Sequence, residues 1–326
     1  MTMEKREYFI NFGMDEDVVE MVKDKLDAIK VTGNIKGELD NKMYYEIYKI
    51  NDDRGGIVIS HGFTECIEKY KEFIYYLTRE GYSVYIMEHR GHGRSGELGK
   101  LHKSQVNVEN FNYYVNDLKI FIDEVVVKRN EDKDLFLFGH SMGGAISAMF
   151  IEKYNNYFKK AILSSPMLKI AVGNVPSFLA IILCKILIIF GKGDKFIFGN
   201  MPYESTYDFI LASTSNESRY NLYYREVLSN ENLQRGGGSF KWLYESLIGI
   251  KYILKKENIR KIKTPILLFQ AGKDELVGER GIKKFIKLCK SANLIYYKNA
   301  KHDLYLENND ILEDYLDKIF DFMQEI

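Results

Sequence analysis

The sequence predicts an α/β fold, with helices on both faces of a mostly parallel central sheet and a helical cap inserted in it. Two observations carry this. Short apolar runs ending in Gly, Ser or Asn alternate with helical stretches, and that alternation is the pattern of a parallel sheet buried on both faces. It then breaks between Pro166 and about Arg235, where no strand-like run occurs and where Pro166, Pro176 and Pro202 fall.

The elements follow in order. Residues 15–30 have loose helical periodicity and an acidic start, so a short helix is expected. The Tyr- and Ile-rich stretch KMYYEIYKI (42–50) reads as a strand. Further strands are expected at 56–60, 82–88, 134–139, 160–165, 265–272 and 294–300. Helices are expected at 66–80, 108–129, 142–155, 240–256, 279–290 and 308–325. The core is thus assigned to 1–165 and 240–326, and the cap to 166–239, with Arg235-Gly236-Gly237-Gly238 as its exit hinge. Within the cap, FLAIILCKILIIF (178–190) reads as a helix apolar nearly all round. Two accounts stand side by side: a buried packing helix, or one that lines an acyl tunnel or touches a lipid surface, with Leu187 and Ile188 as substrate-binding residues. The run is too short to cross a bilayer, which takes about 20 residues.

Composition sets bounds. A chain of 326 residues makes one large domain or two modest ones. Apolar residues at 46% and charged residues at 28% are the profile of a globular protein, not a disordered one. Lys plus Arg and Asp plus Glu both number 46, so nothing pulls the chain towards nucleic acid or an anionic membrane, and copies repel one another little. Cys66, Cys184 and Cys289 are odd in number and lack zinc-type spacing, which favours a reducing cytoplasm over a disulfide framework. The charged start lacks the apolar core of a signal peptide.

The chemistry is read from Gly139-His140-Ser141-Met142-Gly143. G-x-S-x-G is weak alone, but an apolar run precedes it and a helical one follows, the context of a nucleophile elbow that strains and exposes its Ser. Such an elbow is followed in the chain by an acid and then a His. Only His302 of the six histidines lies after Ser141, in NAKHDLYLE at the end of the last strand. Among many carboxylates Asp274 is the best-placed acid, two residues past PILLFQAG, with its neighbour Glu275 as the alternative. The backbone N–H of Met142 would supply half of an oxyanion hole. The loop His61-Gly62-Phe63-Thr64-Glu65 would supply the rest, with Gly62 permitting the turn that aims the Phe63 N–H inward. The Gly- and His-rich stretch 88–96 lacks a third ligand for a metal and the spacing of a phosphate loop, so it reads as structural. Cys66 reads as a small buried residue, with a reactive thiol as the alternative.

Together HGFTECIEKY, EHRGHGRSG, GHSMGGA, QAGKDELV and KHDLYLE resemble the α/β-hydrolase superfamily, and within it the lysophospholipase and monoacylglycerol-lipase group, also filed as serine aminopeptidase-like hydrolases. FNYYVNDLKIF, SSPMLKI, SRYNLYY and GGSFKWLYESL add similarity to bacterial lysophospholipases, from about residue 40 onward. The resemblance implies Ser141 as nucleophile, Asp274 as acid, His302 as base and the Phe63 and Met142 N–H groups as oxyanion hole. Monoacylglycerol lipases usually carry a small residue where Phe63 stands, which bears on the shape of the acyl pocket. The activity implied is hydrolysis of a lipid-like carboxylic ester through an acyl-enzyme, with no metal or organic cofactor. The alternatives are an aminopeptidase-type peptidase, with Glu204 or Asp208 holding a substrate amine, and a non-catalytic binding protein on the same fold.

Overall fold

The computed structural model describes residues 12–130, 133–171, 173 and 175–325. Most of the charged N-terminal stretch lies outside them. The elements in chain order are α1 (Glu16–Asp27), β1 (Lys30–Lys36), β2 (Lys42–Tyr48), β3 (Gly56–Ser60), α2 (Lys71–Arg79), β4 (Ser83–Met87), α3 (Asn112–Phe121), β5 (Leu135–His140), α4 (Met142–Lys153) and β6 (Lys160–Ser164). Then come α5 (Ser177–Ile189), α6 (Glu217–Ser229), α7 (Phe240–Ile253), α8 (Lys256–Ile259), β7 (Ile266–Ala271), α9 (Glu279–Leu288), β8 (Ala292–Tyr297) and α10 (Asn309–Gln324).

The strands form one sheet in the order β1-β2-β4-β3-β5-β6-β7-β8. β2 is antiparallel to both β1 and β4, and every pairing from β4 to β8 is parallel. The central strands read as unbroken apolar runs because both of their faces are covered. Along β5, Leu135 and Leu137 join one core while Phe136 and Phe138 join the other. The first core takes residues from α3, α4, α7 and α9, and the second takes residues from α1, α2 and α10.

One strand of the sheet has no counterpart among the expected elements. β1 (KVTGNIK) is an edge strand whose side chains alternate between half-buried and exposed. It has no apolar run to announce it, and its pairing with β2 is what orders it. The predicted helix over 108–129 is a true α-helix only at 112–121 and continues as a π-turn and a 3₁₀ turn to 129.

Segment 166–239 contributes α5 and α6 and, among the described residues, no strand of the sheet. Residues 235–238 are not a free hinge. Gly236 N–H donates to Ser104 O and Gly237 N–H to Met201 O, each at 2.8 Å, while Gly237 O accepts from Val106 N–H at 3.1 Å. The expected exit hinge is thus hydrogen-bonded on both sides.

Candidate active site

The side chains singled out by sequence converge at the carboxyl edge of the parallel strands, where open α/β sheets bind ligands. Ser141 follows β5, the loop 61–65 follows β3, Asp274 follows β7 and His302 follows β8. Ser141 has φ +52° and ψ −117°, a conformation unfavourable for a residue with a side chain. Its neighbours make this tolerable. A Cβ on Gly143 would lie 2.0 Å from Ser60 O. Two bonds hold the turn: Ser141 N–H donates to Ser164 O at 3.0 Å and Met167 N–H donates to Ser141 O at 2.8 Å. Ser141 is 8% exposed and lines a cavity of about 820 Å³ that also reaches His302.

His302 and Asp274 meet directly, with Nδ1 and Oδ2 at 2.6 Å. The other oxygen of Asp274 accepts the N–H groups of Leu276 and Val277 at 2.9 Å each. Glu275 is exposed and makes no such contact. Nε2 of His302 is buried and has no hydrogen-bond partner among the described residues. Burial favours the neutral imidazole, but the hydrogen bond and charge of Asp274, helped by Asp303 and Glu65, outweigh it and raise the pKa.

Met142 is the first residue of α4, so its N–H has no intrahelical acceptor. In the loop after β3 the residue with left-handed backbone is Thr64, at φ +61°, and not Gly62. Gly62 serves a close approach instead: its N–H donates to Glu65 Oε2 at 2.5 Å, and a Cβ there would sit 2.8 Å from that carboxylate. The Phe63 ring packs on Trp242 of α7 with centroids 4.1 Å apart, and both rings line the cavity.

Behind the loop lies a network absent from the sequence reading. Lys69 Nζ bridges Glu65 Oε1 at 2.7 Å and Asp303 Oδ2 at 2.8 Å. His140 Nε2 contacts Asp303 Oδ1 at 3.1 Å, and Tyr70 OH donates to Glu65 Oε2 at 2.6 Å. Burial raises the Glu65 carboxyl, but the charge of Lys69 overrides it and brings the pKa down to about 2. His140, His302 and Asp303 place metal-ligand-type atoms within 4.8 Å of one another. Asp303 is nevertheless taken up by Lys69 and His140, and Nδ1 of His302 by Asp274. The i, i+4 pair Glu65 and Lys69 is visible in HGFTECIEKY, but its convergence with Asp303 is a tertiary fact.

Leu187 and Ile188 are not on the cavity wall. Leu187 packs against the core and Ile188 sits beside Gly193. The α5 residues that line the cavity are Ala180, Leu183 and Cys184, one helical turn earlier. Glu204 also lines it, whereas Asp208 accepts the N–H groups of Ile210 and Leu211 in a local turn. Cys66 is buried against Val227 and Leu233, and burial pushes its thiol pKa up, the opposite of a reactive cysteine. The 88–96 loop is buried structure, with His89 Nε2 3.0 Å from Ser60 Oγ and Ser95 Oγ donating to Glu88 O at 2.6 Å.

A family model, Hydrolase_4 (serine aminopeptidase, S33), matches residues 51–309. The chain belongs to this family. It is 28% identical over 268 residues to the probable lysophospholipase L2 of Haemophilus influenzae, covering 82% of this chain and 83% of that one. It is 29% identical to lysophospholipase L2 of Escherichia coli K12 (82% and 79% covered) and 27% identical to mouse monoglyceride lipase (81% and 80%). In structure it resembles a soluble variant of monoglyceride lipase from Saccharomyces cerevisiae, with TM-score 0.71 and 20% identity over 90% of this chain and 94% of that one. The fold is that of the α/β-hydrolases.

Proposed function

We propose that the chain is a serine hydrolase of lipid esters, cleaving the acyl ester of a lysophospholipid or a monoacylglycerol through an acyl-enzyme. The observation that carries this reading is the 2.6 Å contact of His302 Nδ1 with Asp274, which leaves Nε2 unpartnered on a histidine that lines the same cavity as Ser141. The names of the curated relatives support the substrate class.

In this reading Ser141 Oγ attacks the ester carbonyl while His302 Nε2 takes its proton. The oxyanion is received by the N–H groups of Phe63 and Met142. The alcohol leaves with the proton from His302, and water then repeats the sequence on the acyl-enzyme. Asp274 fixes the imidazole tautomer and balances the imidazolium. Segment 166–239 acts as a cap over the core formed by 1–165 and 240–326.

The cap also supports contact with a lipid surface. Phe178, Leu179, Ile182, Ile186, Ile189 and Phe190 of the α5 region are exposed, and only Ala180 and Cys184 of that helix are buried. Val175, Leu183, Phe198 and Leu276 are exposed and also line the cavity, so its mouth is apolar on that side, with Glu204 and Thr206 as exposed polar lining. Exposed apolar surface around a cavity mouth fits a peripheral membrane enzyme. Among the described residues no helix is long and apolar enough to cross a membrane.

The test is an activity panel of lysophospholipids, monoacylglycerols, short p-nitrophenyl esters and aminoacyl amides, alongside fluorophosphonate labelling. Labelling at Ser141 with turnover of the lipid esters is expected. Turnover of amides alone would favour a peptidase, with cavity-lining Glu204 holding the amine, and no labelling would favour a binding protein.

A further inference from the structure

Of the buried cations among the described residues, Arg235 and Lys160 have carbonyl partners alone, and of the two Arg235 lines the cavity. Arg90 pairs with Asp117 at 2.6 Å, Arg94 with Glu88 at 2.6 Å and Arg219 with Glu72 at 2.7 Å. Arg235 is 7% exposed, yet among the described residues no carboxylate lies within ion-pair distance of it. Its partners are neutral carbonyls: Nε donates to Gly91 O at 2.9 Å, Nη2 to Gly93 O at 2.7 Å and Gly96 O at 3.2 Å, and Nη1 to Gln234 O at 3.0 Å. These bonds orient the guanidinium; Glu97 and Glu88 act on its charge only from beyond contact and do not offset its burial, and one of its five N–H donors is unspent. A buried charge so placed is costly, and an anionic group entering the cavity would offset that cost.

Arg235 lines the same cavity as Ser141. Tyr203 lines it too, and its hydroxyl is buried with no hydrogen-bond partner. Ser104 ties their backbones together: its Oγ accepts Tyr203 N–H at 2.9 Å and its carbonyl accepts the N–H of Gly236, next to Arg235, at 2.8 Å. The same stretch runs on to Gly238, where a Cβ would lie 3.3 Å from the Phe63 ring. The Arg235 cation is therefore on the chain segment that borders the proposed oxyanion loop.

We propose that Arg235, with the Tyr203 hydroxyl, forms a headgroup subsite for a phosphodiester, so that the chain prefers a lysophospholipid to a neutral monoacylglycerol. The inference rests on the lipid-ester reading above and names the substrate within it. Guanidinium groups bind phosphate oxygens with charge-assisted hydrogen bonds, and a phosphodiester supplies a negative charge in contact. A monoacylglycerol carries no charge to place there.

The experiment compares kcat/KM for oleoyl-lysophosphatidylcholine and for oleoylglycerol, which share an acyl chain, in the full-length protein, R235Q, R235K and Y203F, with a melting curve for each. The wild type is expected to prefer the lysophospholipid. R235Q should lose about tenfold or more on it while oleoylglycerol stays within about threefold, and R235K should recover part of the loss. Y203F should lose activity on the lysophospholipid alone. Equal losses on both substrates in a folded R235Q, or no wild-type preference for the lysophospholipid, would overturn the inference and leave Arg235 as a brace for residues 91–96. If R235Q does not fold, Y203F and inhibition of wild-type oleoylglycerol hydrolysis by glycerophosphocholine decide. Competitive inhibition supports the subsite and its absence overturns it. Cleavage of oleoylglycerol without the lysophospholipid defeats only this inference, whereas cleavage of neither lipid defeats the lipid-ester reading itself.

Discussion

Asp274 holds His302 by one carboxylate oxygen, 2.6 Å from Nδ1, and is itself held by the other, which accepts two backbone N–H groups. The carboxylate cannot swing away without leaving Leu276 and Val277 unpaired. With Nδ1–H committed to Asp274, the neutral tautomer carries a bare, unpartnered Nε2, which is what a general base requires.

The pH dependence follows from that contact. A general base acts only when neutral, and the pKa of His302, the proposed base, is raised because Asp274, Asp303 and Glu65 together outweigh burial. Turnover should therefore fall with a one-proton slope as pH drops through a value above about 6.5, the ordinary imidazole pKa. In Asp274→Asn the largest opposing charge is gone and burial dominates, so the acid limb of the residual activity should move to lower pH. A pH–rate profile of kcat/KM for wild type and variant measures both, and an acid limb unmoved by Asp274→Asn would remove Asp274 from this role.

The three proposed catalytic side chains should behave as a unit. Ser141→Ala and His302→Ala should each reduce ester hydrolysis on the order of 10⁴–10⁶-fold. Asp274→Asn should cost somewhat less, about 10³–10⁴-fold, because the base remains but in the wrong tautomer. Glu275 is exposed, so Glu275→Gln should stay within about twofold of wild type. Single-turnover kinetics on a p-nitrophenyl ester would check all four, and activity near wild type in Ser141→Ala would end the serine-hydrolase reading.

Much of this arrangement was legible in the residue order. The pattern Gly139, Ser141 and Gly143 lies within five residues between an apolar run and a helical one, so it reads from sequence even though Ser60 is what crowds Gly143, and His302 is the sole histidine after it. β1 was not legible because an edge strand with alternating exposure has no apolar run. Leu187 and Ile188 were misplaced for a related reason. In a helix apolar nearly all round the composition does not say which stripe faces inward, and packing on α7 turns Ala180, Leu183 and Cys184 to the cavity instead. Lys69, Asp303 and Arg235 were invisible because their partners are remote in sequence: Lys69 and Asp303 meet across the sheet edge, and Arg235 reaches back to carbonyls at 91, 93 and 96.

Lys69 should matter for stability in a pH-dependent way. It is the cation between two buried carboxylates, and Lys69→Met leaves both uncompensated, a change that costs about 3–5 kcal/mol when one partner of a buried pair is removed. The Glu65 carboxyl is held down at about 2, so in the wild type its contribution is present above the unfolded carboxylate pKa and is lost as pH falls through the folded one. The variant penalty should therefore be full at neutral pH and shrink below about pH 4.3, where the uncompensated carboxylates take up protons instead. Urea unfolding at neutral and acid pH gives the comparison, and a penalty independent of pH would mean that lost packing, not lost charge, is responsible.

The exposed face of α5 offers the last test. Ile182 and Ile186 are 50% and 45% exposed, lie one turn apart and do not line the cavity. Because they are on the surface, Ile182→Asp with Ile186→Asp should change stability by only about 0.5 kcal/mol per site. If this face docks on lipid, placing charges there removes apolar contact with the acyl boundary and adds a desolvation cost, so binding should weaken sharply. The expected outcome is loss of co-sedimentation with phosphatidylcholine vesicles and a raised KM for vesicle-borne lysophospholipid. Hydrolysis of a short soluble ester should stay within about twofold, because its path to Ser141 does not involve the membrane. A double variant that still sediments with vesicles as the wild type does would assign the face another role. One that loses the soluble ester equally would show that the substitutions reach the cavity through α5 and its packing on α7, and that the membrane is not the reason for the exposed apolar side chains.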